Sequence, residues 1–311
     1  MKTGYLHANY ARSLAAFGTP HYLPDAQGWL LKRPIPFSPH WDAMGCYPFF
    51  ACKNWRQLDS ELASLQQDLV SVMLVTDPLG YVEPSALQAT FTDLLRPYKD
   101  HFIVDLHPPL GRNLNAHHRR NVRQALSQVV VEHCTPAAAF DEWVTLYAHL
   151  IQRHHITGIA AFSRESFAAQ WQVPGLTVLR ATAQGETVGM TLWYTDEERV
   201  YYHLAAYSPR GYEMKASYAL FHAAMEHFAH AGIRWMALGA GAGTHNDGAD
   251  GLTRFKRGWA TETRPVYLCG RIFDQPTYSK LVGANAATTG SFFPAYRHPA
   301  ITTSLNRSHA A

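Results

Sequence analysis

At 311 residues the chain has room for about two domains, and its 47% apolar composition supports a sizeable core rather than disorder. Only 16% of its residues are charged, against a usual level of about 25%, and 18 histidines and 13% aromatics fill part of that gap. A net charge of +3 permits a phosphorylated or RNA partner without requiring one, and four cysteines with no Cys-x-x-Cys pair exclude a disulfide framework.

Cys46, Cys52, Cys134 and Cys269 are expected to be reduced thiols. Lys2 is followed by no continuous apolar run, so no signal peptide is expected, and no stretch approaches the roughly 20 apolar residues of a membrane span. The expectation is a soluble, cytoplasmic protein.

Six prolines (Pro20, Pro24, Pro34, Pro36, Pro39 and Pro48) break the first 50 residues, which read as irregular. After Asn54, a good N-cap, Trp55, Leu58, Leu62, Leu65 and Leu69 recur at helical spacing. A strand from Val70 to Thr76 and a turn at Asp77–Gly80 follow. Pro84 opens a helix expected to reach about Leu95, and His101 to Leu106 reads as a strand. The basic segment Asn115–Arg123, with Val122, Leu126 and Val129 on one stripe, predicts a helix joining two halves. Val129 to Cys134 is strand-like, and Pro136 to about His154 is a long helix expected to bury Phe140, Val144, Tyr147 and Ile151. A shorter helix starts at Ser163.

Three alternating runs, Leu176–Ala183, Thr187–Thr195 and Val200–Tyr207, are separated by turns short enough for antiparallel hairpins. A loop from Ser208 to Ser217 leads into a helix with Tyr218, Phe221, Met225 and Phe228 on one face, stopped by Gly232. The strand Arg234–Leu238, the turn Gly239-Ala240-Gly241-Ala242-Gly243 and the run Asp250–Trp259 complete this part. Beyond Tyr278 a trailing extension is expected, packed by Phe292, Phe293 and Tyr296.

A strand feeding a loop at the start of a helix is how proteins hold a phosphate-bearing ligand. The order of elements, with Arg210-Gly211 between strand and helix, resembles the GNAT acyltransferase fold. The basic helix Arg119-Arg120-Asn121-Val122-Arg123 and the run Gly251-Leu252-Thr253-Arg254-Phe255-Lys256-Arg257-Gly258-Trp259 are similar to the Fem-type branch of that superfamily. Its members build peptidoglycan bridges from aminoacyl-tRNA with two GNAT-like halves. The resemblance covers residues 100 to 275 best.

It implies a mixed α/β (α+β) fold with GNAT-like mixed sheets flanked by helices. The expected division is a degenerate GNAT-like half over 1–114, a linking basic helix and strand over 115–133, a catalytic half over 134–280 and an extension over 281–311. It implies acyl or aminoacyl transfer from an activated donor to an amine of a metabolite or envelope precursor. The donor is a co-substrate, aminoacyl-tRNA or acyl-CoA, with no permanently bound cofactor and no metal. Met214 and Lys215 replace the small residues common in the coenzyme A loop, which favours the tRNA.

By resemblance Lys256, with Phe255, sits at the reacting carbonyl, where an ammonium could contribute about 3–4 kcal/mol to the transition state. Arg210, Gly211, Lys215, Ala216 and Ser217 are the candidate donor-binding residues. Tyr202, His203, Asn246 and Asp247 are candidates for the acceptor, and Arg119, Arg120 and Arg123 for RNA or phosphate. Glu213, Asp247, Asp250, His203 and His245 are possible general bases.

Three other readings are weaker. The glycine-rich turn suggests a dinucleotide site, which needs a helix directly after the glycines, and Thr244–Asp250 reads as a loop. The histidine clusters lack a His-Glu-x-x-His order, and no Gly-x-Ser-x-Gly elbow is present. A non-catalytic GNAT-like module binding RNA or an anionic sugar is the alternative from another class.

Overall fold

A computed structural model describes residues 2–80, 82–107, 114–241, 250–283, 289–299 and 301. In chain order the elements are α1 (Ala8–Ser13), β1 (Thr19–Leu23), β2 (Gly28–Pro34), β3 (Trp41–Gly45), α2 (Leu58–Ser64), β4 (Ser71–Val75), α3 (Pro84–Thr90) and β5 (Leu94–Asp105). Then come α4 (Ala116–Leu126), β6 (Val130–Cys134), α5 (Pro136–His154), α6 (Arg164–Trp171), β7 (Leu176–Ala183), β8 (Glu186–Asp196) and β9 (Arg199–Tyr207). The last elements are α7 (Pro209–Glu213), α8 (Ala216–His230), β10 (Trp235–Gly239), α9 (Gly251–Arg257), β11 (Glu262–Ile272) and α10 (Gln275–Val282).

The first 50 residues are therefore not irregular: they hold α1 and three strands. Their prolines sit where a strand tolerates a missing donor, Pro20 in the terminal strand β1 and Pro34 as the last residue of β2. The helix from Pro84 stops at Thr90, short of Leu95. The strand then starts at Leu94, because Asp93 turns to accept a hydrogen bond from the Ile272 amide at 2.9 Å.

The long helix α5 buries Ala139, Trp143, Leu146 and Tyr147, a stripe rotated from the expected one. Trp143 decides this. Its ring is fully buried and lies 5.4 Å from Tyr147 and 5.6 Å from Phe167.

The described residues form two compact units, each assembled from two stretches of chain. One unit joins Met1–Ser13 to Lys99–Pro265, and the other joins Leu14–Tyr98 to Val266–Ala311. The sequence divides less simply than at residues 114, 133 and 280. The helix α4 belongs wholly to the first unit, where it packs on α8, rather than joining two halves.

The two units repeat one motif. In the second unit β1, β2 and β3 form an antiparallel meander, α2 crosses over, and β4 returns parallel to β3. In the first unit β7, β8 and β9 form the meander, α8 crosses over, and β10 returns parallel to β9. Each returning strand then pairs antiparallel with a strand distant in sequence. β4 pairs with Leu268–Ile272 of β11, and β10 pairs with Phe102–Asp105 of β5.

The first unit's sheet is covered on both faces. One face carries α4, α8 and α9 over a core of Trp193, Phe221, Phe228, Met236, Leu238 and Trp259. Burying one such large apolar side chain contributes about 1.5–3 kcal/mol. On α8 the buried face includes Phe221, Met225 and Phe228, as the periodicity predicts, while His222, Glu226 and His230 stay outside the core.

The other face carries α1, α5 and α6. It closes on a buried polar chain in which Tyr5 Oη and Gln170 Oε1 bracket the two ring nitrogens of His203 at 3.1 and 3.0 Å.

The C-terminal segment closes the second unit. Tyr296 is buried, and Phe293 stacks on Tyr278 at 6.0 Å in space left by Gly270, but Phe292 is 44% exposed and packs less than expected. Asp42, fully buried, holds this segment by accepting hydrogen bonds from Tyr296 Oη at 2.9 Å, Arg33 Nε at 3.0 Å and the Arg297 guanidinium. Removing one member of such a network strands the others without a counter-charge. Asp42→Ala is therefore expected to lower unfolding free energy by about 3–5 kcal/mol, against near-neutral loss for exposed Asp68→Ala, which only faces Lys32 at 3.3 Å. Urea unfolding of both variants checks this, and equal losses would remove Asp42 from its role as anchor.

Candidate functional site

The site grows from a divergence of two parallel strands. β10 pairs with β9 only from Trp235↔Arg199 to Ala237↔Tyr201, whereas β9 runs on to Tyr207. From Tyr202 onward, among the described residues, β9 is paired on its β8 side alone. At the same level β10 bulges between Ala237 and Gly239, where Gly239 takes φ +74°, a conformation that favours glycine. The chain then turns through Ala240 and Gly241.

Lys256 projects into this opening from α9. It is 5% exposed, donates from Nζ to the Ala240 carbonyl at 2.7 Å and lies 5.4 Å from the centre of the Tyr202 ring. A Cβ on Gly239 would lie 3.2 Å from Nζ, tighter than most such contacts. A Cβ on Gly241 would lie 2.0 Å from Thr253 Oγ1, so only glycine lets the turn rest on the start of α9. Asp250 caps that helix, accepting from Thr253 N at 2.9 Å and Thr253 Oγ1 at 2.6 Å. Lys99 of β5 donates to the next carbonyl of the turn, Gly241, at 3.2 Å.

Phe255 points elsewhere. Its ring sits 4.8 Å from Phe221 and 5.0 Å from Tyr218, in the core beneath α8. Its carbonyl accepts the Nε2–H of buried His118 at 2.9 Å. The His118 ring occupies a slot that exists because residue 258 is glycine, where a Cβ would lie 1.9 Å from the ring. His118 thus fixes α9 against α4, and Phe255 orients its neighbour through packing.

Burial pushes the Lys256 ammonium down to about 7 from an ordinary 10.5; the charge on Lys99 adds to this and the Asp250 carboxylate opposes it. Buried His101, on the same strand as Lys99, is lowered to about 3 by desolvation and the charges of Lys256 and Lys99. A lysine that exchanges its proton near neutrality can act as an ammonium donor or as a free amine.

The segment after β9 is folded more tightly than the expected loop. Pro209–Glu213 is the helical turn α7, capped by Ser208, whose Oγ accepts from Gly211 N at 3.1 Å. Gly211 lies against β8, where a Cβ would be 1.9 Å from the Val188 carbonyl oxygen. The amides of Tyr212, Met214 and Lys215 are bonded to Ser208, Arg210 and Tyr212.

Arg210 pairs with Glu186 at 3.0 Å and Gln184 at 2.6 Å. Lys215, in a left-handed conformation at φ +56°, reaches Asn121 at 2.9 Å and Gln124 at 2.8 Å on α4. Ala216 and Ser217 begin α8, where first-turn amides have no partner within the helix, although Ala216 itself is fully buried.

The two described acceptor candidates separate. Adjacent residues of a strand face opposite sides, so Tyr202 shares the Lys256 side while His203 is turned into the polar chain on the other face. Burial lowers His203 to about 3, so it is a neutral structural histidine rather than a base at the site. Asn246, Asp247, His245 and the turn's Ala242 and Gly243 lie outside the described residues. Glu213 is an exposed residue at the end of α7.

The three arginines also separate. Arg119 turns back to the Leu114 carbonyl. Arg120 and Arg123 instead line an open groove of about 560 Å³ with Ala116 and His117. His117 is 2.8 Å from Asn121, so the groove adjoins Lys215.

Lys99 and His118 were not selected from sequence. His118 falls in the Asn-x-x-His capping spacing, with Asn115 accepting from its amide at 2.8 Å, and that was the available signal. Among the described residues no group of three or more His, Cys, Asp or Glu is placed to hold a metal ion, and no helix is long and apolar enough to cross a membrane. The described helix α9 starts at Gly251, and residues 244–249, where a dinucleotide site would need its helix, lie outside the described residues.

Comparison with known proteins gives the same fold. Residues 112–257 match the Acetyltransferase (GNAT) domain model. The structure of FemX superposes with a TM-score of 0.66 at 14% identity, covering 87% of this chain and 92% of that one. The C-terminal domain of a putative lysylphosphatidylglycerol synthetase from Agrobacterium fabrum gives 0.60 at 15% identity, covering 86% and 88%. L-PGS from Bacillus licheniformis gives 0.58 at 14% identity, covering 89% and 96%. No curated protein sequence matches the chain.

The buried lysine has a stability signature. Between pH 7 and 10.5 the unfolded chain retains a proton that folded Lys256 has released, so this group penalises folding fully below that window and progressively less as pH rises through it. Lys256→Met removes the penalty and is expected to melt higher than the parent protein near neutral pH, with the gap closing towards about pH 10. Thermal melts at the two ends of the window measure it. A Met variant that melts lower at neutral pH would mean that the Ala240 hydrogen bond outweighs desolvation.

Proposed function

From the match of residues 112–257 to the GNAT acetyltransferase domain model, we propose that this protein passes an aminoacyl group from aminoacyl-tRNA to the amine of a metabolite or envelope precursor. The observation that carries the choice of donor is the folded segment after β9. Helix α7 already engages the amides of Gly211, Tyr212, Met214 and Lys215, and Arg210 and Lys215 are held by protein partners. A coenzyme A pyrophosphate needs free amides, and in this segment that leaves only the first turn of α8, where Ala216 is fully buried. The groove lined by His117, Arg120 and Arg123 suits a polyanionic backbone, whose phosphates are met mainly by arginine and lysine. The fold agrees with this reading, as FemX, the domain of a putative lysylphosphatidylglycerol synthetase and L-PGS share it.

In the reaction the acceptor nitrogen attacks the ester carbonyl, and the carbonyl electrons move onto oxygen. Collapse breaks the bond to the tRNA ribose oxygen, which takes up a proton as the nitrogen loses one, leaving an amide. Lys256 spends one donor on Ala240 and as an ammonium has two more for the oxyanion. Such an interaction strengthens as charge develops, so it acts on turnover more than on donor affinity.

Lys256→Met is expected to lower turnover by about 10²–10³ with little change in donor affinity. Lys256→Arg should also be impaired, because the planar guanidinium cannot replace a compact charge there. The ammonium is the active form, so the turnover of the parent protein should fall as pH rises through about 7, and whatever activity Lys256→Arg retains should lack that limb. Incubation with labelled aminoacyl-tRNAs and, separately, with acyl-CoAs tests the donor. Amide formed only from the tRNA supports the reading, whereas release of coenzyme A with no tRNA product makes the protein a coenzyme A-dependent acyltransferase.

Arg120→Gln with Arg123→Gln is expected to weaken tRNA binding and flatten its salt dependence. Arg119→Gln should do less, since that side chain turns to Leu114. Filter binding across a salt series reads this directly, and equal effects from Arg119 would move the RNA path off the groove. If no amide forms from either donor while the groove changes abolish RNA binding, the protein is instead a binding module.

A further inference from the structure

Lys256 is not the only lysine directed at the glycine-rich turn. Lys99, on β5, donates to the Gly241 carbonyl at 3.2 Å, while Lys256, on α9, donates to the Ala240 carbonyl at 2.7 Å. Two cations from different elements therefore hold consecutive carbonyls of one short stretch. That stretch follows directly from the bulge of β10, and its Gly241 is pressed onto Thr253 at the start of α9. The two side chains thus rest on adjoining peptide units of the same turn.

We propose that Lys99 is a positioning residue for Lys256, fixing the turn against which Lys256 is held and placing a second ammonium on the adjoining carbonyl of that turn. The inference takes Lys256 as the group at the reacting carbonyl and names a second residue that governs it.

The electrostatic surroundings of Lys256 come from four elements. β5 supplies Lys99 and buried, neutral His101; the cap of α9 supplies Asp250; β9 supplies the Tyr202 ring and its phenol, which burial holds protonated; the turn after β10 supplies the Ala240 carbonyl. Of these Lys99 is the cation and Asp250 the anion, and they act on Lys256 in opposite directions. Burial of Lys256 weakens water's screening of both charges, although Lys99 and Asp250 are themselves only partly buried. His101 supports the same picture, because both lysines disfavour its protonated form.

The test is a direct titration of Lys256 in the full chain. Protein carrying 13C,15N-labelled lysine would be followed by NMR across pH, the Lys256 signal being assigned by its loss in Lys256→Met. Lys99→Met removes both charge and hydrogen bond, and Lys99→Gln removes the charge while keeping a polar side chain. Both are expected to raise the Lys256 midpoint from about 7 by on the order of one unit, a tenfold gain in proton affinity. Lys99→Arg keeps the charge and should leave the midpoint in place. An unchanged midpoint in the Met and Gln variants, or an equal rise in the Arg variant, overturns the proposal.

The titration uses free protein, so it stands or fails whatever the donor proves to be. If amide formation is never seen yet the midpoint moves as expected, the proposed reaction fails and the role of Lys99 survives. Where amide formation is seen, the alkaline limb of turnover should move upward with the midpoint in Lys99→Gln. A limb that stays put while the midpoint moves would sever Lys99 from turnover and overturn that part.

Discussion

One interaction organises the first unit around the candidate site: an amine buried to 5% exposure, held by a backbone carbonyl at 2.7 Å. Desolvating an ammonium is costly, and a single carbonyl does not offset it, which is why Lys256 sits near 7. The surrounding residues make sense as what is required to keep it there. Gly239 and Gly241 let the turn approach closely, Asp250 both caps α9 and adds the opposing charge, and Lys99 holds the adjoining carbonyl. The neighbouring Phe255 and His118 lock the helix from behind, so that the lysine's direction is set by the core rather than by its own flexible stem.

The divergence of β9 from β10 supplies the space. After Tyr201 the two strands no longer pair, and unpaired strand backbone in a protein interior offers hydrogen bonds to an extended ligand. The same divergence exposes one side of Tyr202 to Lys256, whereas His203, one residue on, is committed to the opposite face. Strand alternation thus separates a residue at the site from a residue of the scaffold, although both are polar, aromatic and adjacent.

Much of this was legible in the sequence because it rests on local rules. The meander Leu176–Tyr207, the amphipathic face of α8 and the Asp250 cap follow from period-two alternation, helical spacing and capping chemistry. The strands among the early prolines were not legible. A proline is compatible with a strand only at an edge or end, and which strand lies at the edge is a tertiary fact.

The same applies to the site. Lys256 stands in a recognisable run, but Lys99 is 157 positions away from it in the chain, on a strand with no motif around it. Arg119, Arg120 and Arg123 look equivalent as a cluster. Helix geometry and one carbonyl at Leu114 divide them.

The exchange of end strands between the two repeats sets an order of events during synthesis. Ser71 of β4 finds its partner in Ile272, so β4 waits with an unpaired edge while roughly two hundred further residues are made, about 10–40 s at ordinary elongation rates. Unpaired edges recruit other strands, and here the exposed sequence is Ser71-Val72-Met73-Leu74-Val75, apolar at four of its five positions. A truncated product that ends before β11 would carry the same exposed edge permanently and be prone to aggregate.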